Sequence, residues 1–211
     1  MKLRRILLGM AIMAFSVISA NAVAPLPSPL IAEDKILGEA YYDTLAILTS
    51  NSECSEFFGG ADSSISIFNH LIERVRKDYL AVTIGIQMSG AVTNAFNART
   101  KSRYRVFDKV SINANGPFYQ RRYTDNQATV PRVGKYSPNT REARALMLLH
   151  ELGHVVEGKA GNWLLPDDGH DQSLSRDNTE RIQEICGDQI KTLAKGDSPV
   201  PSVDGKEKRP E

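Results

Sequence analysis

His150 and His154 stand four residues apart, with Glu151 directly after the first. On a helix, positions i and i+4 lie one above the other on the same face, so two such imidazoles can grip one metal ion. Glu151, turned by about 100° round the axis, reaches water on that ion rather than the ion itself. The physical reading of this His-Glu-x-x-His spacing is zinc plus a general base. Zinc would acidify water and polarise a scissile carbonyl, while Glu151 took the proton and passed it to the leaving group. Two blander readings compete. The histidines could be hydrogen-bonded core residues, or a metal could stabilise a non-catalytic binding domain. The spacing favours a zinc hydrolase, in particular a peptidase acting on peptide or protein substrates.

A catalytic zinc takes three protein ligands, so a third must be found. Asp167, Asp168, His170, Asp171, Glu180 and Glu184 follow the motif. Ile182, Ile185, Cys186, Ile190 and Leu193 define the inward face of the last helix, which puts Glu180 and Glu184 on its outside. Asp177 and Glu180 form a capping box there, whereas Asn178 and Thr179 fall near the inward face and can support the site. The loop Leu165–Asp171 remains, with Pro166 and Gly169 bracketing two aspartates. Asp168 is the preferred ligand, ahead of His170 and Asp167; the loop could also be an ordinary Asp-Gly surface turn. His170, Tyr119 and Tyr123 are candidates for a second electrophile.

These residues need a scaffold. Asn139, with Glu142 three residues on, caps a helix expected to run to Glu157 and stop at Gly158. Leu146, Leu148, Leu149, Leu152 and Val155 make it apolar nearly all round, hence buried, and Gly153 leaves room for another segment to approach closely. Helical spacing also marks Glu33–Ser50 and Asp62–Tyr79, while alternation marks strands over Tyr79–Met88 and Tyr104–Asn113. Asn113 to Pro117 is turn chemistry. Val110 to Asn115 is the candidate edge for pairing with an extended substrate. The expected fold is α+β, a mainly helical single domain over residues 33–194 with a small antiparallel sheet and a buried His-Glu-x-x-His helix. Residues 23–32 read as a flexible leader and 195–211 as a disordered tail.

Lys2, Arg4 and Arg5 precede an apolar run from Ile6 to Ala20, and Ala20-Asn21-Ala22 offers small residues for cleavage. This reads as a signal peptide over residues 1–22, with an uncleaved anchor as the alternative, and the expected destination is secreted or periplasmic. The whole chain carries 26 basic and 25 acidic residues, and the signal holds three of the basic ones. The mature charge, near −2, offers no footprint for nucleic acid or for an anionic membrane surface. Cys54 and Cys186 are the only cysteines. In an exported chain an even count favours a disulfide, with buried free thiols as the alternative. No Cys-x-x-Cys spacing points to metal ligation by sulfur.

Through His150-Glu151-Leu152-Gly153-His154 the chain resembles the zincin metallopeptidases. It departs from the metzincin extension, since Glu157 stands where that pattern has glycine and Ala160-Gly161 where it has a third histidine. It is also similar to a group of exported bacterial proteins of no settled activity. The likeness lies in Cys54 with Phe57-Phe58, Asn113 to Phe118, His150 to His154, Asp168-Gly169, and Leu174 to Thr179 with Cys186, and covers most of the mature domain. It implies a zincin-like fold, Asp168 rather than Glu180 as third ligand, and pairing of the cysteines; it implies no substrate.

Overall fold

The structure is a computed structural model that describes residues 26–81, 84–123, 128–169 and 171–196. The expected signal peptide, residues 23–25 of the leader, Val82, His170 and the tail beyond residue 196 lie outside the described residues. The described chain is α+β. Its helices are α1 (Leu30–Glu33), α2 (Lys35–Thr49), α3 (Glu53–Phe57), α4 (Ala61–Glu73), α5 (Arg141–Val155) and α6 (Gln172–Thr192). Its strands are β1 (Val75–Asp78), β2 (Ile86–Asn97) and β3 (Ser102–Asn113). Among the described residues no helix is long and apolar enough to cross a membrane.

Packing begins earlier than expected. Ser28 and Ile31, assigned to a flexible leader, are buried, and α1 packs on α2. Asp34 ends one helix and starts the next. Its Oδ1 accepts from the backbone N–H groups of Ile36 and Leu37 at 3.0 and 3.1 Å, which otherwise have no partner in the first turn. Its Oδ2 accepts from Lys77 Nζ at 2.9 Å and the Tyr119 hydroxyl at 3.0 Å. One carboxylate thus ties α2 to β1 and to the segment after β3. Burial alone would raise its pKa, but the Lys77, Leu37 and Tyr119 donors outweigh that and hold it below the usual range. A depressed folded-state pKa contributes stability above the unfolded value of about 4 that is lost as pH falls through the folded one. Asp34→Ala should therefore cost about 1–2 kcal/mol near neutral pH. In denaturant titrations the gap between variant and wild type should close below pH ~4; a gap independent of pH would remove the carboxylate from the account.

The sheet is mixed rather than antiparallel. Its order is β1-β3-β2, with β1 parallel to β3 (Val75 opposite Val110) and β2 antiparallel to it (Ile86 opposite Ile112, Asn97 opposite Ser102). The second long helix stops at Glu73, and Val75–Asp78 leave it as β1. Asn113 has its side chain wholly buried: Oδ1 accepts from Leu80 N at 3.2 Å, and Nδ2 donates to the Ala81 and Ile84 carbonyls at 3.1 and 2.8 Å. Residues 80, 81 and 84, expected in a strand, are thereby held as a connection. Because β3 is the central strand, Val110–Asn115 offers no free edge; the outer edge on that side belongs to β2.

Helix α5 is the buried axis of the fold. It packs against α2 and α6, and touches α4, β2 and β3. Leu146, Leu148, Leu149, Leu152 and Val155 are essentially inaccessible. The cap is Thr140, not Asn139: Thr140 Oγ1 accepts from Ala143 N at 3.2 Å. Asn139 instead adopts φ +55° and its Oδ1 accepts from Arg144 at 2.5 Å. The helix ends at Val155, two residues early, because Val156 turns extended and bridges Tyr104 at the start of β3.

Candidate metal centre

Three donor atoms converge beside α5. His150 Nε2 lies 3.0 Å from His154 Nε2 and 3.1 Å from Asp168 Oδ2, and His154 Nε2 lies 3.5 Å from the same Oδ2. Both histidines are buried. The three residues form a group able to hold a metal ion, with His150, His154 and Asp168 as expected from the sequence. Donors about 2.0–2.1 Å from one tetrahedral ion would stand roughly 3.3–3.4 Å apart, so the observed triangle fits.

The protonation of His150 sharpens that fit. The Thr179 hydroxyl donates its single proton to the Ser175 carbonyl at 2.8 Å. Toward His150 Nδ1, 3.0 Å away, it can therefore only accept. Nδ1 carries the imidazole proton, and the Nε2 lone pair points at the Asp168 carboxylate, itself an acceptor. A proton on His154 Nε2, or a metal ion shared by the three donor atoms, satisfies such an arrangement. Burial would lower His154, and Asp168 and Glu151 outweigh that and raise it. Glu151 is pushed up by burial and partly pulled back by the two imidazoles.

The other candidates have other partners. Asp167 pairs with Arg105. Asp171 caps α6, accepting from Ser173 N and Leu174 N at 2.9 and 3.1 Å. The helix thus starts about two turns before the expected cap Asp177, and it is this extra length that supplies Ser175 as the acceptor for Thr179. Glu180 and Glu184 are exposed on the outer face, as the periodicity of α6 requires. Tyr119 turns away to Asp34, and neither it nor Tyr123 lines the cavity over the site. His170 is outside the described residues.

The ligand loop is held against α5 at Gly153, whose carbonyl accepts from Leu165 N at 3.0 Å. A Cβ at position 153 would sit 2.5–2.6 Å from the Leu165 side chain, itself fully buried. From the α6 side, Asn178 Nδ2 donates to the Pro166 carbonyl at 3.0 Å. Asn178 and Thr179 thus support the site from the inward face of α6. Thr179→Val keeps the shape but removes the acceptor for Nδ1–H. Metal affinity, measured by chelator competition, should fall about 10–100-fold and return with Thr179→Ser; an unchanged affinity in the valine variant would show that Thr179 does not set the tautomer.

Above the site is a cavity of about 650 Å³, in the range of small-ligand pockets. His150, Glu151 and His154 line it from α5, Ile86, Gln87 and Met88 from β2, Asp168 from the loop before α6 and Gln172 from the start of α6. Arg105 carried no signal in the sequence, whereas Ile86–Met88 belong to the strand expected over Tyr79–Met88, which in the structure begins only at Ile86 and runs on to Asn97. Comparison with protein-family models, with curated proteins and with solved structures finds no match.

Proposed function

We propose that the chain is an exported zinc-dependent hydrolase, with peptide bonds as its substrate class. The observation that carries this reading is the convergence of His150 Nε2, His154 Nε2 and Asp168 Oδ2 on one point beside an open cavity that Glu151 also lines. Two imidazoles and one carboxylate suit zinc, and three protein ligands leave the fourth position open. When bound, zinc supplies Lewis-acid polarisation of a carbonyl and acidification of water.

The chain's own residues do the rest. Glu151, outside the ligand triangle but on the same cavity, accepts a proton from water at its carboxylate and returns it to the leaving nitrogen. The free edge of β2 at Ile86–Met88 runs along the cavity and suits an extended peptide, which adds as a strand and exposes its carbonyl to the site. The Cys54–Cys186 disulfide fits an oxidising destination outside the cytosol.

The test begins with metal content. Purified protein should hold about one zinc per chain and cleave members of a mixed peptide library. Chelation should stop cleavage and added zinc restore it. His154→Ala should lose both metal and cleavage. A wild-type protein without affinity for zinc, or cleavage indifferent to chelation, would sink the reading. Zinc without hydrolysis would favour a metal-stabilised binding domain.

A further inference from the structure

Arg105 lies on β3, remote in sequence from the ligands, yet its guanidinium bridges both segments that carry them. Nε donates to the His154 carbonyl at 3.0 Å, and Nη2 donates to the same oxygen. On the other side, Nη1 and Nη2 donate to Asp167 Oδ2 and Oδ1 at 2.8 and 2.6 Å. Four of its five N–H bonds are thereby used. The plane is held by the Trp163 ring 4.4 Å away and by Phe107 at 5.6 Å. The Arg105 side chain is only 8% exposed, whereas that of Asp167 is 66% exposed.

We propose that Arg105 is a positioning residue of the metal centre, clamping the last turn of α5 at the His154 carbonyl to the ligand loop at Asp167. The inference rests on the metal-centre reading above and says how its two halves stay in register. His154 belongs to a helix and Asp168 to a loop, and their side chains must meet within a few tenths of an ångström to share an ion. Gly153 and Asn178 hold the loop by neutral hydrogen bonds. Arg105 adds a charge-assisted, bidentate link at the residues that matter most: the backbone of one ligand and the immediate neighbour of the other. It also sorts the two adjacent carboxylates. Asp167 is committed to the guanidinium, and Asp168 is left to face the imidazoles. A lysine could carry the charge but could not span carbonyl and carboxylate with a flat fork.

The experiment is a zinc titration of the full chain against a chromophoric chelator, on wild type, Arg105→Lys, Asp167→Ala and the double variant, with thermal melts of the metal-free forms alongside. Both single variants should bind zinc about 10–100-fold more weakly. The double variant should bind no more weakly than the worse single one, because the two groups act as one unit. Asp167→Ala removes a mostly exposed side chain but leaves two N–H groups of the buried Arg105 without their acceptor, so its metal-free melt should fall by a few degrees; zinc binding is read where both proteins are folded, and this variant carries the test if Arg105→Lys does not fold. Wild-type zinc affinity in Asp167→Ala, or losses that add in the double variant, would overturn the clamp while leaving the metal centre standing. A wild type that binds no zinc would overturn both.

Discussion

On the zinc-hydrolase reading we propose, Glu151→Gln should keep the metal content and lower peptide turnover by about 10²–10⁴-fold, the usual range for loss of a general base. Glutamine has the outline of glutamate and cannot accept the proton. The Glu151 carboxylate is not one of the three converging donors, so its loss leaves the ligand set intact. It lines the same cavity as His150, His154 and Asp168, so it faces whatever water or substrate occupies that space. Asp168→Ala is the contrasting change: it removes a ligand, and metal and turnover should fall together. The pair therefore separates holding the ion from using it. Equal kcat/KM in wild type and Glu151→Gln, at equal zinc occupancy, would remove general-base catalysis by this residue and leave the ion a structural one.

The helix that bears the motif was readable because two independent signals coincide on it. It is apolar nearly all round, and its polar exceptions stand at metal-ligand spacing. The outward face of Glu180 and Glu184 narrowed the third ligand to the loop Leu165–Asp171, where Asp168 was preferred with His170 and Asp167 still open. The boundaries were less legible, because each depends on a partner far away. Val156 leaves α5 to bridge Tyr104 of β3, which no pattern within the helix announces. Asp171 and Asp177 both satisfy the rules for a cap, and the polar stretch between them reads equally as loop or as first turns. The sheet was misread for a related reason. Outer β2, from Ser89 to Asn97, is exposed on much of its length, and Val92 and Phe96 are open to solvent, so no alternation forms. β1 is four residues of mixed charge directly after a helix. With β1 read as helix and only the Ile86–Met88 end of β2 read as strand, β3 looked like an edge. Arg105 was the hardest to see: its partners are 49 and 62 residues away, and its neighbours in β3 read as an ordinary alternating strand.

Removing the Cys54–Cys186 bridge should cost about 5 kcal/mol, the chain-entropy value for a loop of this length. The bond joins α3 to α6 across 132 positions, so the unfolded chain gains much freedom when it is cut. Against a total stability of about 5–15 kcal/mol, that is at least a third. For a domain of this size the midpoint should drop by roughly 10–20 °C. Both cysteines are wholly buried, so serine would strand a hydroxyl in the core, and Cys54→Ala with Cys186→Ala is the cleaner pair. Reduced wild type then isolates the bond from the cavity that alanine leaves. The consequence should extend to the metal centre. Thr179, which fixes the His150 tautomer, lies about two turns before Cys186 on α6, and α3 packs on that helix and is bonded to it through Cys186. Cutting the bond frees α6 to shift against α5. Zinc affinity should therefore fall in the double alanine variant even at temperatures where it is folded, and saturating zinc should recover part of the lost midpoint by mass action. A midpoint within about 3 °C of wild type, corresponding to roughly 1 kcal/mol, would mean that packing alone holds α6 in place and that the bridge is dispensable to the site.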